Sequence, residues 1–308
     1  MTQTYNGIDF PRIIHGKGDL SKWIATHKAE VDTRLAETGT VLFRGFNITS
    51  PEDFHDAVEG YGELGFTYAD SLSNAVRVNL TSRVFTANEA PADVSIYLHH
   101  EMAQTPYYPG KLFFSCMIAP ETGGATPICR SDIVFEQLTK AEPDLVAALR
   151  LQGVRYSNTM PATDDPNSGQ GRSWRSTLSR DTKAAAEARL DELGYNYVWN
   201  ADETLRVTSP ALPAIRELPD GSESFFNQLI AAFRGWKDSR NDPSKSVTLG
   251  NGDPLDIRAL QTAIRIADEV SYDLNWQAGD VALLDNYRVM HGRRPFTGKR
   301  RVLAALVA

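Results

Sequence analysis

The sequence predicts a mainly β fold with α insertions. Three observations carry this reading. Runs rich in β-branched and aromatic residues lie towards both ends of the chain, at 40–46, 112–118, 281–284 and 301–307. Between about 131 and 270 the pattern turns to helical periodicity broken by polar loops. Residues suited to metal chemistry sit in both strand-rich regions: His99 and Glu101 in one, His291 in the other. One site fed from two ends fits a single domain over residues 1–308, with a helical and loop-rich insertion at about 131–270, better than two tandem domains.

Composition sets the outer bounds. A chain of 308 residues with 42% hydrophobic and 23% charged residues buries a substantial core. Its net charge of −7 argues against nucleic-acid binding, which needs a basic footprint. No apolar run is long enough to span a bilayer, and the first residues lack the pattern of a signal peptide. The only two cysteines, Cys116 and Cys129, read as buried thiols of a cytoplasmic protein.

Taken in order, residues 19–37 read as an amphipathic helix ending at Gly39. Residues 40–46 then form a strand. Ser50-Pro51-Glu52-Asp53 is a helix start, with Ser50 as the cap and Pro51 in the first turn. Residues 65–90 are loop with short β pieces at 76–80. Strands follow at 94–102 and 111–118, and a Gly-Gly turn at 123–124. In the middle, helices are expected at 132–150, 181–194, 223–237 and 253–270, with a long polar loop at 157–173 as a candidate lid. Strands return at 274–276, 281–284, 289–291 and 301–307, with a tight turn at Gly279-Asp280.

The chemistry begins at His99-His100-Glu101. On a strand, His99 and Glu101 share a face and His100 takes the other. An imidazole and a carboxylate on one face are two thirds of a 2-His-1-carboxylate site, and His291 is the candidate third ligand. The His-x-Glu pattern alone is common, and zinc suits the same three ligands with an open water position. Arg301, on the strand that returns after His291, can reach back into the same cavity. A buried arginine there calls for an anion, which a dicarboxylate would supply through the guanidinium fork.

Jointly these motifs resemble the Fe(II)/2-oxoglutarate-dependent dioxygenases of the taurine dioxygenase (TauD/TfdA) and clavaminate synthase-like type, especially natural-product amino-acid hydroxylases. The resemblance covers most of the chain: the 40–46 strand, the His-x-Glu strand, residues 123–127, Ser173-Trp174, Trp199, residues 226–228, and above all 276–306. It implies a double-stranded β-helix (jelly roll) core flanked by helices. It implies His99, Glu101 and His291 as iron ligands, Thr126 and Arg301 as the holders of the distal carboxylate of 2-oxoglutarate, and Fe(II), 2-oxoglutarate and O2 as the cofactor set. Many relatives carry Asn where this chain has His100, for which a place behind the metal ligands or at the surface is expected, and a ligand role in place of His99 only if the strand bulges.

The expected activity is hydroxylation of an unactivated C–H bond of a small amino-acid-like molecule or natural-product intermediate, free or carrier-bound, with 2-oxoglutarate decarboxylated to succinate and CO2. The same oxidising chemistry can give desaturation, cyclisation or epoxidation. The rival from another class is a zinc-dependent hydrolase on the same ligands. Hydrolysis, however, gives Arg301 and Thr126 no shared task. No nucleic-acid or membrane partner is expected.

Overall fold

A computed structural model describes residues 3–66, 72, 77–87, 90–165, 168, 171–236, 239–242 and 245–308. Two sheets organise it. The larger has six strands in the order Arg12–His15, Thr40–Arg44, Val281–Asp285, Lys111–Ile118, Arg301–Val307 and Phe85–Thr86. The smaller has four, in the order Tyr272–Leu274, Thr126–Arg130, Val289–Arg293 and Ile96–His99. All pairings in both are antiparallel except Arg12–His15 with Thr40–Arg44, which are joined through the helix Leu20–Thr38.

Strand alternation sorts the side chains into three layers of core. Leu42, Phe114, Ala282, Val302 and Ala304 of the larger sheet meet Ile128, Leu274 and Val289 of the smaller in the space between the sheets. The opposite face of the larger sheet, with Val41, Phe43, Leu283 and Leu303, buries the helices Leu20–Thr38 and Pro51–Tyr61. The opposite face of the smaller, with Leu98, Cys129 and Met290, packs on the helices of the middle region. Both cysteines are free and buried. Among the described residues no helix is long and apolar enough to cross a membrane.

Local signals account for many boundaries. Ser50 accepts from Asp53 N while the Asp53 carboxylate accepts from Ser50 N, a capping box that starts the helix Pro51–Tyr61. Gly39 closes the first helix at φ 76°, a left-handed conformation open to glycine at little cost.

The middle region differs from expectation in four places. The 132–150 helix is two helices, Ser131–Ala141 and Pro143–Gln152, because Pro143 starts a new first turn and cannot continue the old one. The polar 157–173 segment begins as strand, Val154–Met160, within a four-stranded sheet of its own with Asn196–Trp199, Leu205–Thr208 and Val247–Leu249. The stretch 131–270 is therefore not only helix and loop. The 223–237 helix starts only at Leu229, leaving Phe225 and Phe226 in the extended lead-in. The final helix runs Ile257–Val270, capped by Asp256. Near the start of the chain, the β piece expected at 76–80 is reduced to an isolated antiparallel bridge between Asn79 and Phe85, and Val76 lies outside the described residues.

Candidate metal centre

His99 and His291 are register partners on neighbouring antiparallel strands. Leu98 and Met290 turn to the helical side, so both histidines turn into the space between the sheets. Their ring centroids are 4.4 Å apart. Gly292 allows the strands to come this close: a Cβ there would meet the Ile96 carbonyl oxygen at 2.4 Å. The expected 94–102 strand ends at His99, and Glu101 lies in the turn that follows. That turn still delivers its carboxylate. Glu101 Oε2 is 3.4 Å from His291 Nε2 and 4.0 Å from His99 Nε2. One ligand atom from each of the three residues lies within 4.8 Å of the others.

The electrostatics suit a cation. His99 Nδ1 lies 2.7 Å from the Tyr97 carbonyl oxygen. That oxygen can only accept, so Nδ1 carries the proton and Nε2 presents its lone pair. Burial pushes the His99 imidazole down to about 4, with His291 adding to the effect. Burial would raise the Glu101 carboxyl, but the Arg77 charge and the two histidines overcome it and hold the group well below the usual carboxylate range. Two imidazoles and an ionised carboxylate form a donor set that fits a divalent first-row metal.

His100 is fully buried and faces away from this point, so the surface alternative is ruled out. Its ring packs on Phe226 with centroids 4.7 Å apart, and its Nδ1 is 2.5 Å from the Asn286 carbonyl oxygen. Gln228 Nε2 donates to the His100 carbonyl at 2.9 Å, and His100 N reaches Asn227 O at 3.4 Å.

Thr126 stands two residues before Ile128, which is registered against His291. Sharing the parity of Ile128, it faces the same space. Trp276 Nε1 donates to its hydroxyl at 2.9 Å. The arginine that joins it is Arg300, not Arg301. Arg300 Nη2 lies 3.4 Å from Thr126 Oγ1, and its Nε donates to Gly124 O at 2.9 Å. Arg301 is exposed. Arg300 lies just before the strand Arg301–Val307, whose register shifts between Arg301 and Val302, and its bonds to Gly124 and Thr126 turn it inward while Arg301 stays exposed. Burial pushes the Arg300 guanidinium down to about 10, and the like charge of Arg293 adds to it. Among the described residues Arg300 forms no salt bridge, so it is a partly buried cation suited to an anion.

Several arginines and aromatic residues close to the motifs in sequence are engaged elsewhere. Arg83 pairs with Glu59 and Arg294 with Asp273. Arg293 binds the carbonyls of Ala90, Pro91 and Val94. Trp174 is buried in a satellite core with Leu190 and Leu205. Tyr97 lies against Arg234 of the helix Leu229–Gly235. Three residues around the triad carry no sequence signal of their role: Arg77, Asn286 and Gln228.

A match to the family described as "Taurine catabolism dioxygenase TauD, TfdA family" runs over residues 11–306. The chain belongs to the TauD/TfdA dioxygenase family. It is 43% identical over 288 residues to a clavaminate synthase-like protein of Arabidopsis thaliana, covering 93% of this chain and 87% of that one. It is 31% identical to the dapdiamide synthesis protein DdaC of Enterobacter agglomerans, covering 90% and 84%. The fold is shared with a taurine dioxygenase from Burkholderia xenovorans at TM-score 0.53 and 16% identity, over 96% of this chain and 86% of that one. It is also shared with AAD-2 in complex with Mn(II) and N-oxalylglycine at TM-score 0.54 and 14% identity, over 97% and 94%. As a TauD/TfdA member the protein is a dioxygenase, and the family's cofactor set is Fe(II), 2-oxoglutarate and O2.

Proposed function

We propose that this TauD/TfdA enzyme hydroxylates an unactivated C–H bond of a small amino-acid-like molecule, with His99, Glu101 and His291 as the iron ligands and Arg300 with Thr126 as the holders of the distal carboxylate of 2-oxoglutarate. The observation that carries it is the shared address of the two groups. Triad and Arg300–Thr126 pair open into the same space between the sheets, and two residues, about 7 Å of strand, separate Thr126 from the residue registered against His291. That spacing suits a short dicarboxylate. A hydrolase would leave the arginine and the threonine without a task. The two facing sheets form, on this reading, a double-stranded β-helix core carrying the helical middle region as an insertion.

When bound, the iron supplies the oxidising chemistry, with 2-oxoglutarate and O2 consumed and succinate and CO2 released. The chain's own residues do the positioning. Tyr97 O fixes the His99 tautomer, and Arg77 keeps Glu101 ionised. Thr126 Oγ1 accepts from both Trp276 Nε1 and Arg300 Nη2, which ties the threonine to the arginine. Phe114, its ring centroid 5.1 Å from that of His291, lines the apolar side and excludes water. The amino-acid-like substrate class draws support from the dapdiamide synthesis relative, and a cytoplasmic setting from the two buried free thiols.

The test is incubation with Fe(II), 2-oxoglutarate and air, following succinate release, against amino acids and their free and carrier-bound derivatives. Mass spectrometry of the products separates gain of one oxygen from loss of two hydrogens. Absence of 2-oxoglutarate turnover, together with zinc-dependent hydrolysis, would sink the reading.

A further inference from the structure

Glu101 is approached from both sides of its carboxylate. Oε2 faces the two histidines. Oε1 accepts from Arg77 Nη2 at 3.0 Å. Arg77 comes from a segment that supplies no ligand, yet that segment is anchored. Val78 N donates to Thr86 Oγ1 at 3.0 Å, and Thr86 N donates to Val78 O at 2.9 Å. Thr86 is in turn registered against Leu303 of the larger sheet. The Arg77 guanidinium carbon lies 5.2 Å from the Phe85 ring centroid, within cation–π range. The side chain is 10% exposed and that of Glu101 5%, so the pair is shielded from water and its hydrogen bond is charge-assisted.

A carboxylate can hold a metal through one oxygen or through two. The choice matters here. A six-coordinate metal held by two imidazoles and one oxygen would keep three positions for a chelating 2-oxo acid and O2. A second glutamate oxygen would close one of those positions. We propose that Arg77 is a positioning residue that keeps Glu101 a one-oxygen ligand and thereby preserves the coordination position that 2-oxoglutarate needs. This rests on the function proposed above and deepens it, since the sheet edge Phe85–Thr86 becomes part of the cosubstrate site.

The signs of two affinities separate this role from plain structural support. Arg77 is a cation beside a cation site, so its removal relieves repulsion of the metal. It also takes the Arg77 donor away from Oε1. The metal is then held at least as well, while 2-oxoglutarate is held less well. The experiment titrates wild type, Arg77→Met and Arg77→Lys with Co(II) alone, and then with 2-oxoglutarate in the absence of oxygen. Visible absorption reads the coordination and a thermal midpoint checks folding.

For Arg77→Met we expect Co(II) affinity no weaker than wild type, an altered Co(II) spectrum, and 2-oxoglutarate affinity lower by about tenfold, the scale seen when a partner of a metal ligand is removed. Arg77→Lys keeps a charge and a donor and should recover most of the cosubstrate affinity. Arg77→Gln is the neutral replacement should the Met variant fail to fold. An unchanged spectrum and cosubstrate affinity would overturn the proposal. So would parallel loss of both affinities with the thermal midpoint, which is the mark of structural support. Wild-type protein that takes up Co(II) but no 2-oxoglutarate would overturn the proposed function itself.

Discussion

Asn286 grips Glu101 by both ends of its backbone. Its Oδ1 accepts from Glu101 N at 2.8 Å, and its Nδ2 donates to Glu101 O at 3.0 Å and to Pro109 O at 2.8 Å. Asn286 also leads into the strand that carries His291. It therefore ties the turn bearing one ligand to the strand bearing another. In Asn286→Asp the acceptor stays, but a carboxylate oxygen faces two carbonyls. Metal affinity should fall by roughly 10- to 100-fold, read by Mn(II) titration. An unchanged affinity would reduce Asn286 to a turn former.

Arg300 and Arg301 give a paired comparison. Losing a charge-assisted bond of about 1.5–3 kcal/mol should raise the half-saturating 2-oxoglutarate concentration of Arg300→Ala by roughly 10- to 100-fold. Arg301→Ala, at an exposed position, should stay close to wild type. Steady-state kinetics in 2-oxoglutarate decide it, and the reverse ranking would return the anchor to Arg301.

His100 tests the register of the site. Its Nδ1 bond to Asn286 O and its packing on Phe226 place it in the structure behind the triad. His100→Asn should therefore keep its metal while losing about 1–3 kcal/mol of stability through the broken buried bond. Loss of the metal with the fold intact would make His100 the ligand.

Acid sensitivity has a local source away from the site. Arg288 Nη2 donates to Asp220 Oδ2 at 2.6 Å. Burial would raise the Asp220 carboxyl, but the Ser222 hydroxyl and the Arg288 guanidinium lower it to about 2 from an ordinary 3.8. A depressed folded-state value stabilises above the unfolded one and is lost as pH falls through the folded one. The excess stability of wild type over Asp220→Asn should thus be full above about pH 4 and disappear towards about pH 2. Urea midpoints of both proteins across that range measure it, and a pH-independent difference would refute it.

Legibility followed the range of the forces involved. The strands Thr40–Arg44, Val281–Asp285 and Arg301–Val307 were readable because β-branched runs serve a sheet wherever it packs. The cap at Ser50 was readable because its partner is three residues away. Phe225 and Phe226 were misread because apolar spacing cannot distinguish a helix from the extended approach to one. There Phe225 N donates instead to Ser131 O, far away in sequence. The triad emerged from spacing and resemblance together. Of two adjacent arginines the sequence points to Arg301, and only the contacts of Arg300 with Gly124 and Thr126 move the anchor by one residue. Arg77 and Asn286 act through contacts that exist only once the sheets have met.

His99 and His291 are neighbours across one ladder although they are remote along the chain. An ion held between them is a clasp that the unfolded chain cannot close. A ligand that binds only the native state adds about 2.7 kcal/mol when present at a hundredfold its dissociation constant. That is a sizeable fraction of the roughly 5–15 kcal/mol by which such proteins are stable at all. The iron-loaded enzyme should therefore outlast the iron-starved one under proteolysis, so that the supply of iron governs how much enzyme persists as well as whether it works.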